Sequence, residues 1–153
     1  MTKDVLLAIQ GLQFNASEED SNIQTITPAS YYSKDKSVYV IYDEVMEGTD
    51  QLTKNIIHLK DKTMEITKKG HVNVHMIFEE NRKSLSNYAT PFGDILIGLD
   101  TRKISVNEEE HRMHVEVDYV LEVNYEFLAN CKISMDISER NGEDFTIFGN
   151  RSV

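Results

Sequence analysis

Met113-His114-Val115-Glu116-Val117-Asp118-Tyr119-Val120-Leu121-Glu122-Val123-Asn124-Tyr125-Glu126-Phe127 is the stretch on which the fold turns. Met113, Val115, Val117, Tyr119, Leu121, Val123, Tyr125 and Phe127 take every second position. His114, Glu116, Asp118, Glu122, Asn124 and Glu126 fill the gaps, and Val120 alone breaks the alternation. Such period-two patterning sets one face of a strand in a core and the other in water, and it has no helical reading. Read as one strand at about 3.3 Å per residue, the segment would extend for about 50 Å, so it is expected to coil or bend strongly.

The rest of the chain follows the same logic. Asp94 to Val106 alternates through Ile95, Ile97 and Leu99, after a strand at 85–90 and the turn signal Pro91-Phe92-Gly93. Segments 54–60, 63–68 and 71–79 read as three short strands divided by Asp61-Lys62 and Gly70. Lys36 to Met46 is rich in Val, Ile and Tyr, 22–33 is a more polar strand, and Val5, Leu7 and Ile9 alternate in a first strand near 4–14. Beyond the opening stretch, Cys131, Ile133, Met135 and Ile137 mark the last strong strand. Nowhere does an i, i+3, i+4 pattern persist, so parallel pairing through crossover helices is not available. An all-β, up-and-down meander remains. Closing it into an antiparallel barrel of about 8–10 strands removes its edges, with a β-sandwich as the alternative. The 153 residues are expected to form one domain, with the polar tail 141–153 docking as an extra strand or fraying.

Composition narrows the function classes. Area scaling gives roughly 8,000 Å² exposed when folded against about 25,000 Å² for the open chain, enough burial for a core without metal or disulfide. Cys131 is the single cysteine, which excludes an internal disulfide framework and fits a reducing compartment. The net charge of −10 lacks the basic stripe that a nucleic-acid surface needs, and it disfavours an anionic membrane surface. Lys60, Lys62, Lys68 and Lys69 form the one basic cluster, diluted by Asp61 and Glu65. The apolar run from Val5 to Ile9 is too short for a signal-peptide core, and no segment has the ~18 apolar residues of a membrane helix. A soluble cytoplasmic protein, monomeric or homodimeric, is the expectation.

Gly70, Met76-Ile77-Phe78-Glu79, Tyr88-Ala89-Thr90-Pro91-Phe92-Gly93 and Thr101 come in an order shared with a known group. Tyr42-Asp43-Glu44 lies upstream and Asp118-Tyr119-Val120-Leu121 downstream. Over about residues 3–139 this pattern resembles the YwiB-like family of small bacterial β-barrel proteins, a domain of unknown function. The resemblance implies a closed, calycin-like barrel related in architecture to lipocalins, in a Gram-positive cytoplasm, and it implies no activity. Ahead of the glycine, where family members commonly carry arginine, this chain has Lys68-Lys69. A lysine cannot copy a planar two-pronged arginine contact.

Several polar residues fall in the apolar phase of their strands. Lys68 follows Met64 and Ile66, Thr101 follows Ile97 and Leu99, Tyr42 and Glu44 follow Val38 and Val40, and Tyr119 sits in the long strand's apolar set. Tyr88 and Phe92 are expected to cap the adjoining barrel mouth, with Thr90 beside them. If these phases face inward, Tyr42, Glu44, Lys68, Tyr88, Thr90, Thr101 and Tyr119 are candidate ligand-binding residues of the interior. A buried lysine and glutamate would then have to pair. The same residues also fit a satisfied polar plug at the barrel end, and, because strand ends often emerge from the core, Lys68 and Glu44 also fit plain exposure.

Other constellations carry less. His71 and His75 lie about 13 Å apart on a strand, so one metal cannot bridge them, and no metal site or cofactor is expected. Cys131 reads as a small buried hydrophobe, and neither a Gly-x-Ser-x-Gly elbow nor a phosphate loop is present, so no catalytic residue is assigned. Glu18-Glu19-Asp20 and Glu108-Glu109-Glu110 read as solvated loops. Glu116, Asp118, Glu122 and Glu126 form an acidic stripe, read as a solvated outer wall or as a docking surface for a basic partner. Gly93 is expected to need a positive φ, so Gly93→Val should destabilise the fold. The leading functional expectation is a non-enzymatic barrel binding a small, largely apolar molecule or metabolite. A ligand-free interaction barrel is the alternative. An interior filled by Phe, Tyr and Met would favour the alternative, and an open one walled by Lys68 and Tyr119 the carrier.

Overall fold

The computed structural model describes residues 2–11, 24–45, 48 and 50–140, and every regular element among them is a β-strand. In chain order these are β1 (Asp4–Gln10), β2 (Gln24–Lys34), β3 (Ser37–Val45), β4 (Leu52–Lys60) and β5 (Thr63–Gly70). Then come β6 (Val74–Glu79), β7 (Arg82–Thr90), β8 (Gly93–Glu108), β9 (Arg112–Val123) and β10 (Glu126–Glu139). They form one antiparallel sheet in the order β6-β5-β4-β3-β2-β1-β10-β9-β8-β7. Pairing of β1 with β10, Val5 opposite Glu139, joins the two ends of the meander. The outermost strands, β6 and β7, are successive in the chain, so the sheet curls until its edges meet. At that seam Asn73 and Ala89 exchange two backbone hydrogen bonds of 2.9 Å, and Ser86 Oγ donates to the His75 carbonyl at 2.7 Å. The result is the expected meander, closed into a barrel at every junction except this loosely bonded one.

The inward phases are those the alternation marks. Val5 and Leu7 of β1, Val40 of β3, Ile57 of β4, Met64 and Ile66 of β5, and Met76 and Phe78 of β6 are buried. Leu99 of β8, Met113 to Leu121 at every second position of β9, and Ile133, Met135 and Ile137 of β10 complete the core. Phe78 and Tyr119 meet edge to face inside it, 5.0 Å between ring centroids, a favoured aromatic geometry. β7 is the exception. Its inward positions carry Ser84, Ser86 and Tyr88, while Leu85 points out and is exposed. A β-bulge at Thr101/Lys103 puts Arg102 in excess on β8 and moves the inward phase from Thr101 to Ile104.

The decisive stretch corrects one expectation. It is not a single bent strand. β9 stops at Val123, Asn124 and Tyr125 turn with φ of 51° and 68°, and Phe127 already belongs to β10. Two successive positive φ values are the signature of the tight hairpin turn whose twist suits flanking strands. Asp35-Lys36 makes the same turn between β2 and β3, with φ of 51° and 68°. The apolar phase runs through the second hairpin by coincidence, and Tyr125 and Phe127 are exposed rather than buried. Strand β6 also begins later than expected, because Gly70 to Asn73 turns the chain. Asn73 Oδ1 accepts from Gly70 N–H, and Asn73 Nδ2 donates to the Gly70 carbonyl.

The acidic stripe is interleaved with cations. Lys83 Nζ lies 2.6 Å from Glu122, and Lys132 Nζ lies 3.5 Å from Glu116 and 3.7 Å from Asp118. Surface pairs of this kind stabilise little, but the two lysines partly offset the four acids and weaken the case for a dock for a basic partner. The expectations for 141–153 and for Glu18-Glu19-Asp20 lie outside the described residues. Among the described residues no helix is long and apolar enough to cross a membrane.

Candidate functional site

One end of the barrel gathers β3, β4, β5 and the end of β7. Strand register does the assembling. Tyr42 stands opposite Asn55, and Asn55 opposite Lys68, so three polar side chains lie in one row across β3, β4 and β5. Glu44 and Thr53 form the next pair toward the rim. Across the seam, Tyr88 on β7 packs against the core beside the Asn73–Ala89 bridge.

The row is buried to an unusual degree for its chemistry. Lys68 is 6% exposed and Asn55 fully buried, whereas the Glu44 side chain remains 40% exposed. Lys68 Nζ donates to Asn55 Oδ1 at 2.7 Å and to Glu44 Oε1 at 3.2 Å. Asn55 Nδ2 donates to the same Glu44 oxygen at 3.3 Å and to the Thr53 carbonyl at 3.3 Å. The amide is thus polarised, oxygen toward the ammonium and nitrogen toward the carboxylate. Burial first, and the Glu44 charge second, raise the pKa of the Tyr42 phenol far above its ordinary value and that of Tyr88 in the same direction. Both phenols are therefore neutral at physiological pH.

Not every candidate joins this cluster. Tyr42, Glu44, Lys68 and Tyr88 come together. Thr90 instead locks its own turn: its hydroxyl accepts from Phe92 N–H at 3.1 Å and donates to the Gly93 carbonyl at 2.8 Å. Thr101 and Tyr119 are opposed across β8 and β9 in the interior. Their hydroxyls are buried, and neither finds an oxygen or nitrogen partner among the described residues. Burial, with the adjacent Cys131 thiol second, holds the Tyr119 phenol well above its ordinary pKa. Asn55 is the residue that sequence reasoning missed. Its signal was the one that found Lys68: it precedes Ile57 and Leu59 in phase, a polar residue on an apolar face.

The lumen is filled. Phe78, Tyr119, Met64, Met76, Met113 and Met135 are fully buried among aliphatic neighbours. Two concavities among the described residues lie elsewhere. One, of about 250 Å³, is lined by His58, Lys60, Asp61, Thr63 and Glu65, and one of about 180 Å³ by Asn107, Glu109, Arg112, His114 and Asp136. His75 bonds Thr67 and faces Glu65, while His71 bonds Gln51, so the two histidines serve separate contacts. Among the described residues, no three His, Cys, Asp or Glu side chains converge as metal ligands.

Comparison with known proteins agrees with this architecture. A family profile described as "Domain of unknown function (DUF1934)" matches residues 7–135. An uncharacterized β-barrel protein, YwiB, of Bacillus subtilis (strain 168) is 24% identical over 124 residues, spanning 78% of this chain and 86% of that protein. The crystal structure of the ywiB protein from Bacillus subtilis superposes with a TM-score of 0.75 at 16% identity, covering 91% of this chain and 93% of that one.

Proposed function

We infer, from the premise that this chain belongs to the DUF1934 family, that it is a non-enzymatic binding barrel whose ligand is a small polar molecule held at the Lys68 end. The observation that carries this reading is a lysine ammonium 6% exposed whose carboxylate partner is open to solvent. Burying an ammonium is a poor device for stability, because its desolvation offsets the Coulomb gain from a partner that water screens. A hydrophobic residue at position 68 would close the barrel at lower cost, so the buried charge speaks for binding. Lys68 and Asn55 bring an ammonium and an amide to one barrel mouth, with the neutral phenols of Tyr42 and Tyr88 beside them. The packed lumen directs the ligand to that mouth and favours a small polar molecule over the largely apolar interior cargo suggested by the fold.

Native mass spectrometry of the protein taken from its own cells, before and after denaturation, tests the reading. The expected result is an excess mass on the folded wild type that is released on unfolding and is missing from Lys68→Met. A bare wild-type mass, or the same excess on Lys68→Met, overturns it.

A second reading has its own support. The filled lumen is what a ligand-free interaction barrel would have. At the same end of the barrel, hairpin turns present Phe92 at 98% and Tyr125 at 71% exposure. Aromatic side chains held on tight turns suit recognition of a protein surface. Bare masses for both proteins would move the assignment here.

A further inference from the structure

The two bonds that hold Glu44 are long for their type. Hydrogen bonds from an ammonium to a carboxylate run at about 2.7–2.9 Å when well made, and those from a neutral amide N–H to oxygen at about 2.9–3.0 Å. Glu44 Oε1 is 3.2 Å from Lys68 Nζ and 3.3 Å from Asn55 Nδ2, whereas Lys68 and Asn55 hold each other at 2.7 Å. The donors thus hold each other more closely than either holds the acceptor. The donors are also the buried partners, and the acceptor is the one that water reaches. A carboxylate arriving from solvent would meet the same ammonium and amide without moving either. We propose that Glu44 is an internal stand-in, and that its position takes the carboxylate group of a small ligand, which displaces it from Lys68 and Asn55.

The choice of carboxylate over other anions follows from what occupies the place now. One carboxylate oxygen, Oε1, receives both donors, and the phenols of Tyr42 and Tyr88 lie close enough to feel the carboxylate's charge. Both phenols keep their protons there, so neither repels an anion. Glu44, once displaced, swings into solvent at little cost because its side chain is already 40% exposed. No bond is made or broken in the exchange. The proposal rests on the reading of the Lys68 end as a binding site and adds the class of molecule bound there.

Chemical rescue tests it. Glu44→Ala removes the stand-in and leaves the ammonium with Asn55 alone. Thermal unfolding of wild type, Glu44→Ala and Glu44→Ala/Lys68→Met is followed at pH 7 as sodium acetate replaces sodium chloride at constant ionic strength. Acetate is expected to raise the Tm of Glu44→Ala by several degrees. The wild type should need a several-fold higher acetate concentration for the same rise, and the double variant should not respond. Equal responses in all three proteins would overturn the proposal, as would a larger effect of inorganic phosphate than of acetate. If the double variant fails to fold, the Asn55 side-chain amide resonance of Glu44→Ala is followed instead, and it must shift with acetate. A neutral molecule released from the wild type in the native mass experiment would overturn the carboxylate class while leaving the binding site standing. A bare mass there, with no acetate rescue, would overturn both.

Discussion

Gly70 and Gly93 both carry a positive φ, +144° and +129°, but they differ in what surrounds them. A Cβ on Gly70 would sit 2.2 Å from the Leu52 carbonyl oxygen and 2.9 Å from Thr53 Cα, both backbone atoms that cannot step aside. A Cβ on Gly93 would meet nothing within 4 Å, so only the conformation itself is strained. Gly93→Val is therefore expected to lose about 1–2 kcal/mol, and Gly70→Ala, though a smaller change, about 3–5 kcal/mol. Urea unfolding of both variants checks the order, and equal losses would contradict it. Tyr119 gives the opposite sign. Its buried hydroxyl finds no hydrogen-bond partner among the described residues, so Tyr119→Phe should gain about 1 kcal/mol, and a lower melting temperature would show that the hydroxyl is satisfied. His114 supplies the pH dependence. Its Nδ1 lies 2.8 Å from Asp136 and its Nε2 3.1 Å from Glu116, and the Asp136 hydrogen bond is the main cause of a raised pKa. A His pKa raised by folding means a contribution fully present below the unfolded value of about 6.5 and lost as pH climbs through the folded value. The stability gap between wild type and His114→Gln should shrink from about pH 6 to pH 8, and a gap that widens over that range would refute the assignment.

At the scale of elements, the seam is where the fold is weakest. Nine junctions are ladders, but β6 and β7 share the Asn73–Ala89 bridge and a side-chain bond from Ser86. Edge strands with few ladder bonds open at lower free energy than central ones. Amide hydrogen exchange should therefore be fastest, among the strands, in β6 and β7, and slowest in β9, which is laddered on both sides. Uniform protection around the barrel would contradict this. The elements were largely legible in the sequence, because alternation reports a half-buried strand directly. What misled was the chemistry of turns. Asn124-Tyr125 adopts two positive φ values without the glycine that usually advertises them, so a hairpin read as one long strand. The bulge at Thr101/Lys103 was hidden for a similar reason: an extra residue leaves no compositional mark. β7 shows little alternation because its inward residues are serines and a tyrosine.

At the scale of the molecule, the candidate site was half legible. Lys68, Tyr42 and Glu44 announced themselves as polar residues in apolar phase, and Asn55 did so as well without being taken up. Which of them meet depends on register, which pairs Tyr42 with Asn55 and Asn55 with Lys68, and register is not written in any one strand. Thr90 and Thr101 have the right residue type, but turn geometry takes one and depth in the core the other. The filled lumen was not legible either, because alternation says which side chains point inward and not whether they meet. The central claim is that the polar end, and not the lumen or the aromatic rim, is where this barrel binds. The most direct test is an ¹⁵N-labelled protein titrated with the small-molecule fraction of the cells it comes from. Resonance shifts centred on Tyr42, Asn55, Lys68 and Tyr88 are expected. Shifts centred on Phe92 and Tyr125, or none at all, would contradict that claim.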